Sequence, residues 1–160
     1  MSSIFKSTSK LFGIVLSFVV LGALFLLTAC NEGFDSATKL NVNATNATDA
    51  DTKYTALSVK SAEEIYVCWT IADDAKDSAS SYNLVVLNND KQALTNDNKL
   101  TAVTVYDSNK KSLGTATTET EGVYNLSAVL SDQKIAGGTY YAVLKFAKDG
   151  TYNIAIKLNA

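Results

Sequence analysis

The chain has 160 residues and a formal net charge of −2, and it contains no histidine, arginine or proline. The missing histidine removes the commonest general base and the commonest transition-metal ligand. The single methionine, at position 1, leaves soft copper sites poorly supplied. Fourteen lysines against sixteen acidic residues give no positive excess for a nucleic-acid partner. We therefore expect no enzyme, no cofactor and no nucleic-acid binding.

The N-terminal segment has the three parts of a secretory signal. The first ten residues contain two lysines and no acidic residue, residues 11–27 are almost continuously apolar, and two small residues then precede Cys30. We predict export, with the lysines retained on the cytoplasmic side. An uncleaved membrane-spanning helix stays open as an alternative, because residues 11–28 are 18 long, close to the minimum that crosses a bilayer.

The sequence Leu27-Thr28-Ala29-Cys30 resembles the lipobox of bacterial lipoproteins, in which an aliphatic residue and two small residues precede the modified cysteine. The resemblance implies a diacylglyceryl group on the sulfur of Cys30, cleavage between Ala29 and Cys30, and the lipid bilayer as a partner. Two or three acyl chains anchor a protein stably, whereas one is marginal. The expected location is lipid-anchored and exported: at the outer membrane if the host has one, otherwise on the outer face of the cell membrane.

The rest of the chain divides by composition. Residues 31–53 are rich in Asn, Ala, Thr and Asp with few large apolar groups, so we predict that 30–53 is a lipidated cysteine and a disordered tether. A flexible coil of that length spans about 25 Å. Residues 54–160 are predicted to form one folded domain. Cleavage after residue 29 would leave twelve lysines, sixteen acids and a net charge of −4.

Apolar and polar residues alternate with period two through the predicted domain, which indicates strands. The runs lie at 55–59, 65–71, 82–87, 100–106, 113–118, 123–130, 140–146 and 152–158, with 126–135 as an alternative helical crossover. Turn-forming sequences lie at 88–91 and 107–110. The pair Asp149-Gly150 predicts a hairpin between the last two runs, with Phe146 and Tyr152 meeting across it. Trp69 is expected in the core.

About seven short strands and no convincing helix predict an all-β, immunoglobulin-like or fibronectin-like antiparallel β-sandwich. The sequence Ile135-x-x-Gly138-x-Tyr140 resembles the Leu-x-x-Gly-x-Tyr of those folds. That resemblance implies a tyrosine corner, in which the Tyr140 hydroxyl bonds back to the preceding backbone. Residues 82–158 also resemble the YtkA-like and FixH-like envelope domains. Some of that group handle copper, but this chain lacks the histidines and methionines for it, so only the fold carries over.

Two further features invite a chemical interpretation. Cys68 lies in an apolar run and has no free partner if Cys30 is acylated, so a buried, inert thiol is expected, with an intermolecular disulfide or reactive thiol as the alternative. Asp73, Asp74 and Asp77 could offer oxygen ligands, but their spacing does not fit a calcium loop, and a solvated loop is expected. We predict no catalytic residue and no metal site.

These observations predict a membrane-anchored envelope lipoprotein with a non-catalytic binding, adhesion or structural role. Its partner would be an unknown protein or surface ligand, reached through sandwich loops or an edge strand. The alternative is a periplasmic accessory protein that binds a metal or small ligand or assists assembly of a membrane complex.

Overall fold

The computed structural model describes residues 32–44, 48, 50–75, 79–116, 118–120, 122–129 and 136–159. One helical turn, α1 (Glu32–Asp35), belongs to a compact unit that ends at Asp35, and all the strands belong to a second unit, 36–160. The strands are β1 (Thr38–Lys39), β2 (Val42–Asn43), β3 (Thr55–Val59), β4 (Glu64–Ile71), β5 (Ser81–Leu87), β6 (Leu100–Tyr106), β7 (Ser112–Thr115), β8 (Thr118–Thr120), β9 (Val123–Asn125), β10 (Gly138–Phe146) and β11 (Gly150–Asn159). A 3₁₀ turn at Ser127–Val129 follows β9.

The strands form two sheets, and the predicted all-β sandwich is confirmed. Sheet A has the order β1-β4-β10-β6-β7, and sheet B has the order β2-β11-β5-β9-β8, with β3 also paired to β11. The longer pairings are antiparallel, whereas the two-residue strands β1 and β2 pair in parallel with β4 and β11. Each long strand buries alternate side chains, because successive residues of a strand point to opposite faces of its sheet.

The core contains a cluster of aromatic rings from both sheets. Trp69 of β4 is fully buried, as predicted, with its ring stacked at 6.1 Å on Tyr140 and edge-on at 6.3 Å to Tyr82 of sheet B. Each buried aromatic contributes about 1.5–3 kcal/mol through the area removed from water. This cluster therefore does much to hold the two sheets together.

The predicted hairpin between the last two strands is wrong. β10 pairs with β4 and β6 in sheet A, whereas β11 pairs with strands of sheet B, so the connection at 147–149 crosses from one sheet to the other. Asp149 and Gly150 both lack the positive φ that a type I′ hairpin turn requires. Phe146 and Tyr152 do meet, with ring centroids 4.4 Å apart, but across the core instead of along a hairpin.

The predicted tether contributes strands to both sheets, so the folded domain starts at Thr38 or earlier instead of at residue 54. β1 extends sheet A beside β4, and β2 extends sheet B beside β11. Between them Leu40 is buried in the core, and its N–H donates to the Cys68 carbonyl oxygen at 2.8 Å. Composition did not predict these two strands, because a two-residue strand needs only a few apolar anchoring side chains, and here they are dispersed among Asn, Ala and Thr.

Asn43 fixes this segment to sheet B. Its side-chain amide donates to the carbonyl oxygens of Ile156 at 3.1 Å and Lys53 at 3.3 Å, and its Oδ1 accepts the Lys53 N–H at 2.8 Å. The residue is buried, so these bonds satisfy polar atoms that would otherwise be costly to remove from water. Asn43 therefore closes the loop that leads from β2 to β3.

The two predicted turns have the same hydrogen-bonding arrangement. In the first, Asn88 Oδ1 accepts the N–H groups of Asp90 and Gln92, at 2.9 and 2.8 Å. In the second, Asp107 Oδ1 accepts two N–H groups at the equivalent offsets, those of residues 109 and 111, both at 2.9 Å. The fourth residue of each turn, Lys91 and Lys110, has positive φ. A side-chain acceptor at the first position thus compensates for the missing glycine.

Candidate binding surface

Several sequence predictions lie outside the described residues. These are the signal segment, the cleavage position at Ala29 and the lipidation site at Cys30. Asp77 of the acidic loop is also outside them. For these positions the sequence predictions stay predictions.

The predicted tyrosine corner has the expected geometry at Tyr140. Its hydroxyl donates to the carbonyl oxygen of Ala136, four residues upstream, at 3.1 Å. Gly138 between them has φ +143°, a conformation that other residues rarely adopt. Burial, and secondarily the charge of Asp107, raises the pKa of Tyr140. The hydroxyl is therefore a neutral donor that fixes the chain where it enters sheet A, and its role is structural.

Gly-x-Tyr also occurs at Gly122-Val123-Tyr124 and Gly150-Thr151-Tyr152, and there too the tyrosine hydroxyl fixes its strand. Tyr152 donates to the carbonyl oxygen of Lys148 at 2.9 Å, again four residues upstream and again where the chain enters a new sheet. The Tyr124 hydroxyl of β9 accepts the N–H of Leu100, at the start of β6 in the opposite sheet, at 3.2 Å. At each of the three Gly-x-Tyr sequences, the tyrosine hydroxyl therefore makes a hydrogen bond to the backbone that holds the start of a strand in place.

The acidic loop after β4 has no metal-site geometry in its described part. The Asp73 carboxylate lies so close to Gly137 that a Cβ at that glycine would collide with it. Among the residues that the structure describes, no group of three or more Cys, Asp or Glu side chains is arranged to hold a metal ion. The contact of Asp73 instead positions the chain just before the tyrosine corner.

Cys68 lies on the outer face of sheet A and not in the core, contrary to expectation. Its neighbours Val67 and Trp69 point inward, so the alternation of β4 directs the thiol outward, where it is half-buried. The Sγ lies 3.7 Å from the carbonyl oxygen of Ala37. Burial raises the pKa of the thiol, and the charge of Lys39 lowers it by less. A thiol with a raised pKa is a poor nucleophile at neutral pH.

Half-exposed tyrosines gather on this outer face, in a surface that the sequence analysis missed. We call it the tyrosine face. It comprises outward residues of the three central strands of sheet A: Tyr66, Cys68 and Thr70 of β4, Tyr141 and Val143 of β10, and Thr104 and Tyr106 of β6. It includes three of the eight tyrosines of the chain.

The strand register brings these tyrosines together. Tyr141 on the central strand lies directly opposite Tyr106 on one side and Cys68 on the other. Tyr66 lies opposite Val143, one diagonal step from Tyr141. Val143 at the centre points outward yet is only 7% exposed. The register therefore places three tyrosines around a shielded apolar residue. No single run of sequence reveals it, because the three tyrosines lie on strands far apart in the chain.

One end of the tyrosine face carries a compensated charge pair. Lys145 Nζ lies 3.0 Å from Glu64 Oε1, and the Tyr66 hydroxyl donates to Glu64 Oε2 at 2.9 Å. The hydrogen bond from Lys145, followed by that from Tyr66, holds the pKa of Glu64 below its ordinary value. Because the pair is well exposed, it contributes little to stability. It does leave this end of the face without a net charge.

The outer face of sheet B has a different composition. Its described outward residues on β5, β9 and β11 include four asparagines and one lysine and no aromatic residue: Ser81, Asn83, Val85, Leu87, Val123, Asn125, Thr151, Asn153, Ala155, Lys157 and Asn159. The sandwich therefore has one aromatic face and one amide-rich face.

The edge strands, which the sequence suggested as a possible binding element, are short. The outer strands of sheet A, β1 and β7, have two and four residues, and those of sheet B have between two and five. Short edges offer few unpaired backbone groups to an added strand.

No helix within the described part of the chain combines the length and the apolar character needed to span a bilayer. No protein-family model matches the chain, and a search of curated proteins found no match. Among solved structures, the chain is similar to the pre-peptidase C-terminal domain of a collagenase from Bacillus anthracis. The TM-score is 0.42 and the identity 13%, over 76% of this chain and 96% of that one.

Proposed function

We propose that the chain is an exported envelope lipoprotein, anchored through acylated Cys30, which acts by non-catalytic binding through the tyrosine face. The observation that carries the binding role is the in-register cluster of the partly exposed Tyr66, Tyr106 and Tyr141 on the outer face of sheet A. Tyrosine is enriched at binding surfaces because it combines a large apolar ring with a polar group and loses little side-chain entropy when it is buried.

Replacement of the lipidated cysteine tests the anchor. Cells that express the natural chain or its Cys30→Ala variant would be fed an alkyne fatty acid, and the membrane fraction would be probed for the label. We expect the natural chain to be labelled and to sediment with membranes, and the variant to carry no label. Label on the variant, or no label on either chain, would contradict the proposed lipoprotein.

The tyrosine face is tested by its accessibility in the envelope. Thr70 and Ser58 make a matched pair, since each is exposed, lies on an outward face and has a cross-strand hydroxyl partner, at 3.2 and 3.4 Å. Each would be changed to cysteine in a Cys68→Ser background and treated with a water-soluble maleimide.

We expect the cysteine at 70 to react slowly in envelope preparations and fast after purification in detergent. The cysteine at 58, on sheet B, should react fast in both. Equal reaction of the two positions in the envelope would mean that the tyrosine face is not a binding surface.

A further inference from the structure

The position where the chain enters sheet A limits how an anchored sandwich can lie. β1 meets β4 with Thr38 opposite Val67, the fourth of the eight residues of β4. The chain therefore reaches the sandwich at the middle of its long side and not at one of its ends. An anchor attached there favours a sandwich lying flat over one that stands on its loops.

The chain also reaches β1 from the side of the tyrosine face. The Cys68 thiol points to the outer face of sheet A, and its 3.7 Å contact is with the carbonyl oxygen of Ala37, immediately before β1. Lys39 pairs in register with Cys68 and shares its face. The chain at Ala37 therefore lies next to Cys68, on the side of sheet A that carries the tyrosines.

The distance from the anchor is short. Only seven residues lie between Cys30 and Thr38, and a fully extended chain over these eight Cα–Cα steps spans at most about 28 Å. The helical turn at Glu32–Asp35 shortens this reach further, because a helix rises only about 1.5 Å per residue. The chain length alone therefore limits Thr38 to about 28 Å from the surface that holds Cys30.

The chemistry of the face suits the headgroup region of a bilayer. Tyrosine is enriched at membrane–water interfaces, where the ring meets apolar chains and the hydroxyl stays wet. The charged strand residues on this side of sheet A are Lys39 and the pair Glu64–Lys145, which together carry a net charge of +1. The chain that remains after cleavage carries −4. The strand residues on the tyrosine side of sheet A are thus slightly positive in a protein that is acidic as a whole.

We infer that the tyrosine face lies on the lipid headgroups of the membrane that holds Cys30, which turns the amide-rich face of sheet B outward. This inference rests on the proposed lipid anchor and names the partner of the proposed binding face. The sandwich would then lie against the membrane with sheet B facing away from it. It would not be held away from the membrane by a long tether.

The purified acylated protein, reconstituted in lipid vesicles, tests this inference directly. The Thr70→Cys and Ser58→Cys variants, each in the Cys68→Ser background, would carry a nitroxide label in vesicles of phosphatidylcholine and phosphatidylglycerol. Relaxation by a water-soluble nickel chelate and by oxygen would report the environment of each label. On reconstitution, we expect relaxation of the label at 70 by the nickel chelate to decrease and its relaxation by oxygen to increase. For the label at 58, we expect both relaxation effects to stay the same.

The outcomes separate this inference from the proposed function. Protein that fails to float with the vesicles would count against the lipid anchor itself. Protein that floats with both labels equally open to nickel would overturn the membrane-apposed orientation and leave the anchor standing. Protection of position 70 by isolated cell-wall glycan but not by vesicles would assign the face to a polysaccharide, and the lipid assignment would fall.

Discussion

At the scale of single residues, two tyrosine hydroxyls tie the backbone, whereas the hydroxyl of a third tyrosine is buried without a hydrogen-bond partner among the described residues. Tyr140 and Tyr152 each donate to a carbonyl oxygen four residues upstream. The hydroxyl of Tyr82 and the indole nitrogen of Trp69 are buried and make no hydrogen bond within the described residues. Replacing each of these tyrosines with phenylalanine removes only its hydroxyl group, so the three substitutions can be compared directly.

We expect Tyr140→Phe and Tyr152→Phe each to lower the free energy of unfolding by about 1 kcal/mol, the net value of one hydrogen bond. Tyr82→Phe should leave stability unchanged or raise it, because it removes a buried polar group that lacks a partner. Urea unfolding of the three variants measures the difference. If Tyr82→Phe were the most destabilising of the three, the assignment of the two corners as the tying bonds would be wrong.

The same tyrosines predict sensitivity to alkaline pH. Burial chiefly, then the charge of Tyr140, raises the pKa of Tyr82. Burial also raises the pKa values of Tyr140 and Tyr152. Because the folded state holds these protons more tightly than the unfolded state, the stabilisation is complete below about pH 10 and declines as the pH rises through the folded pKa values.

The free energy of unfolding should therefore fall with pH above about 10, and it should fall less steeply for Tyr82→Phe than for the natural chain. Urea titrations at a series of alkaline pH values provide the measurement. Parallel pH profiles for the two proteins would show that Tyr82 ionises equally in the folded and unfolded states.

At the scale of elements, the turn between β3 and β4 holds an alanine in a left-handed conformation. Ala62 has φ +65°, and its N–H donates to the Phe146 carbonyl oxygen at 3.3 Å. A left-handed non-glycine residue costs about 1–2 kcal/mol, whereas the extra freedom of glycine in the unfolded chain costs about 0.5–1 kcal/mol. The first effect is larger, so we expect Ala62→Gly to stabilise the protein by about 0.5–1 kcal/mol.

Ala147→Gly is the control for that substitution. Ala147 is an exposed alanine in a connection, like Ala62, but its φ is not positive. We expect this variant to lose about 0.5–1 kcal/mol, because glycine then brings only its entropy cost. Thermal unfolding of the two variants and the natural chain shows the sign of each stability change. Destabilisation by both substitutions would indicate that the turn at Ala62 is not strained.

The elements also show what the sequence could and could not predict. Period-two alternation located the long strands, and Asn88 and Asp107 marked their turns, because these signals are local. Which strands pair is not local. The pair Asp149-Gly150 is compatible with both a hairpin and a connection between sheets, and the choice depends on sheet partners far along the chain. The tyrosine face escaped prediction for the same reason, since it exists only once β10 lies between β4 and β6.

At the scale of the whole molecule, the segment 38–43 spans the two sheets along one side of the sandwich. β1 extends sheet A, β2 extends sheet B, and Leu40 fills the core between them. The predicted tether is thus reduced to the few residues between Cys30 and Thr38. This shortening is what links the fold to its proposed membrane orientation, because a long tether would leave every face of the sandwich equally free.

The boundary is tested by comparing fragments that begin at residues 36 and 54. Loss of segment 36–53 exposes the contacts of Leu40 and removes the three hydrogen bonds of Asn43. Burial of one leucine contributes about 1.5–3 kcal/mol, and each hydrogen bond adds about 0.5–1.5 kcal/mol. We expect the shorter fragment to be less stable by at least about 3 kcal/mol, a large part of the total stability of a small domain.

Urea unfolding followed by the fluorescence of Trp69 compares the two fragments. Leu40→Ala in the full chain should reproduce about 2–3 kcal/mol of the loss, which shows that the missing contacts, and not the new chain end, cause it. An equal urea midpoint for the two fragments would place the start of the domain at residue 54. It would also restore a long tether and remove the constraint that brings the tyrosine face to the membrane.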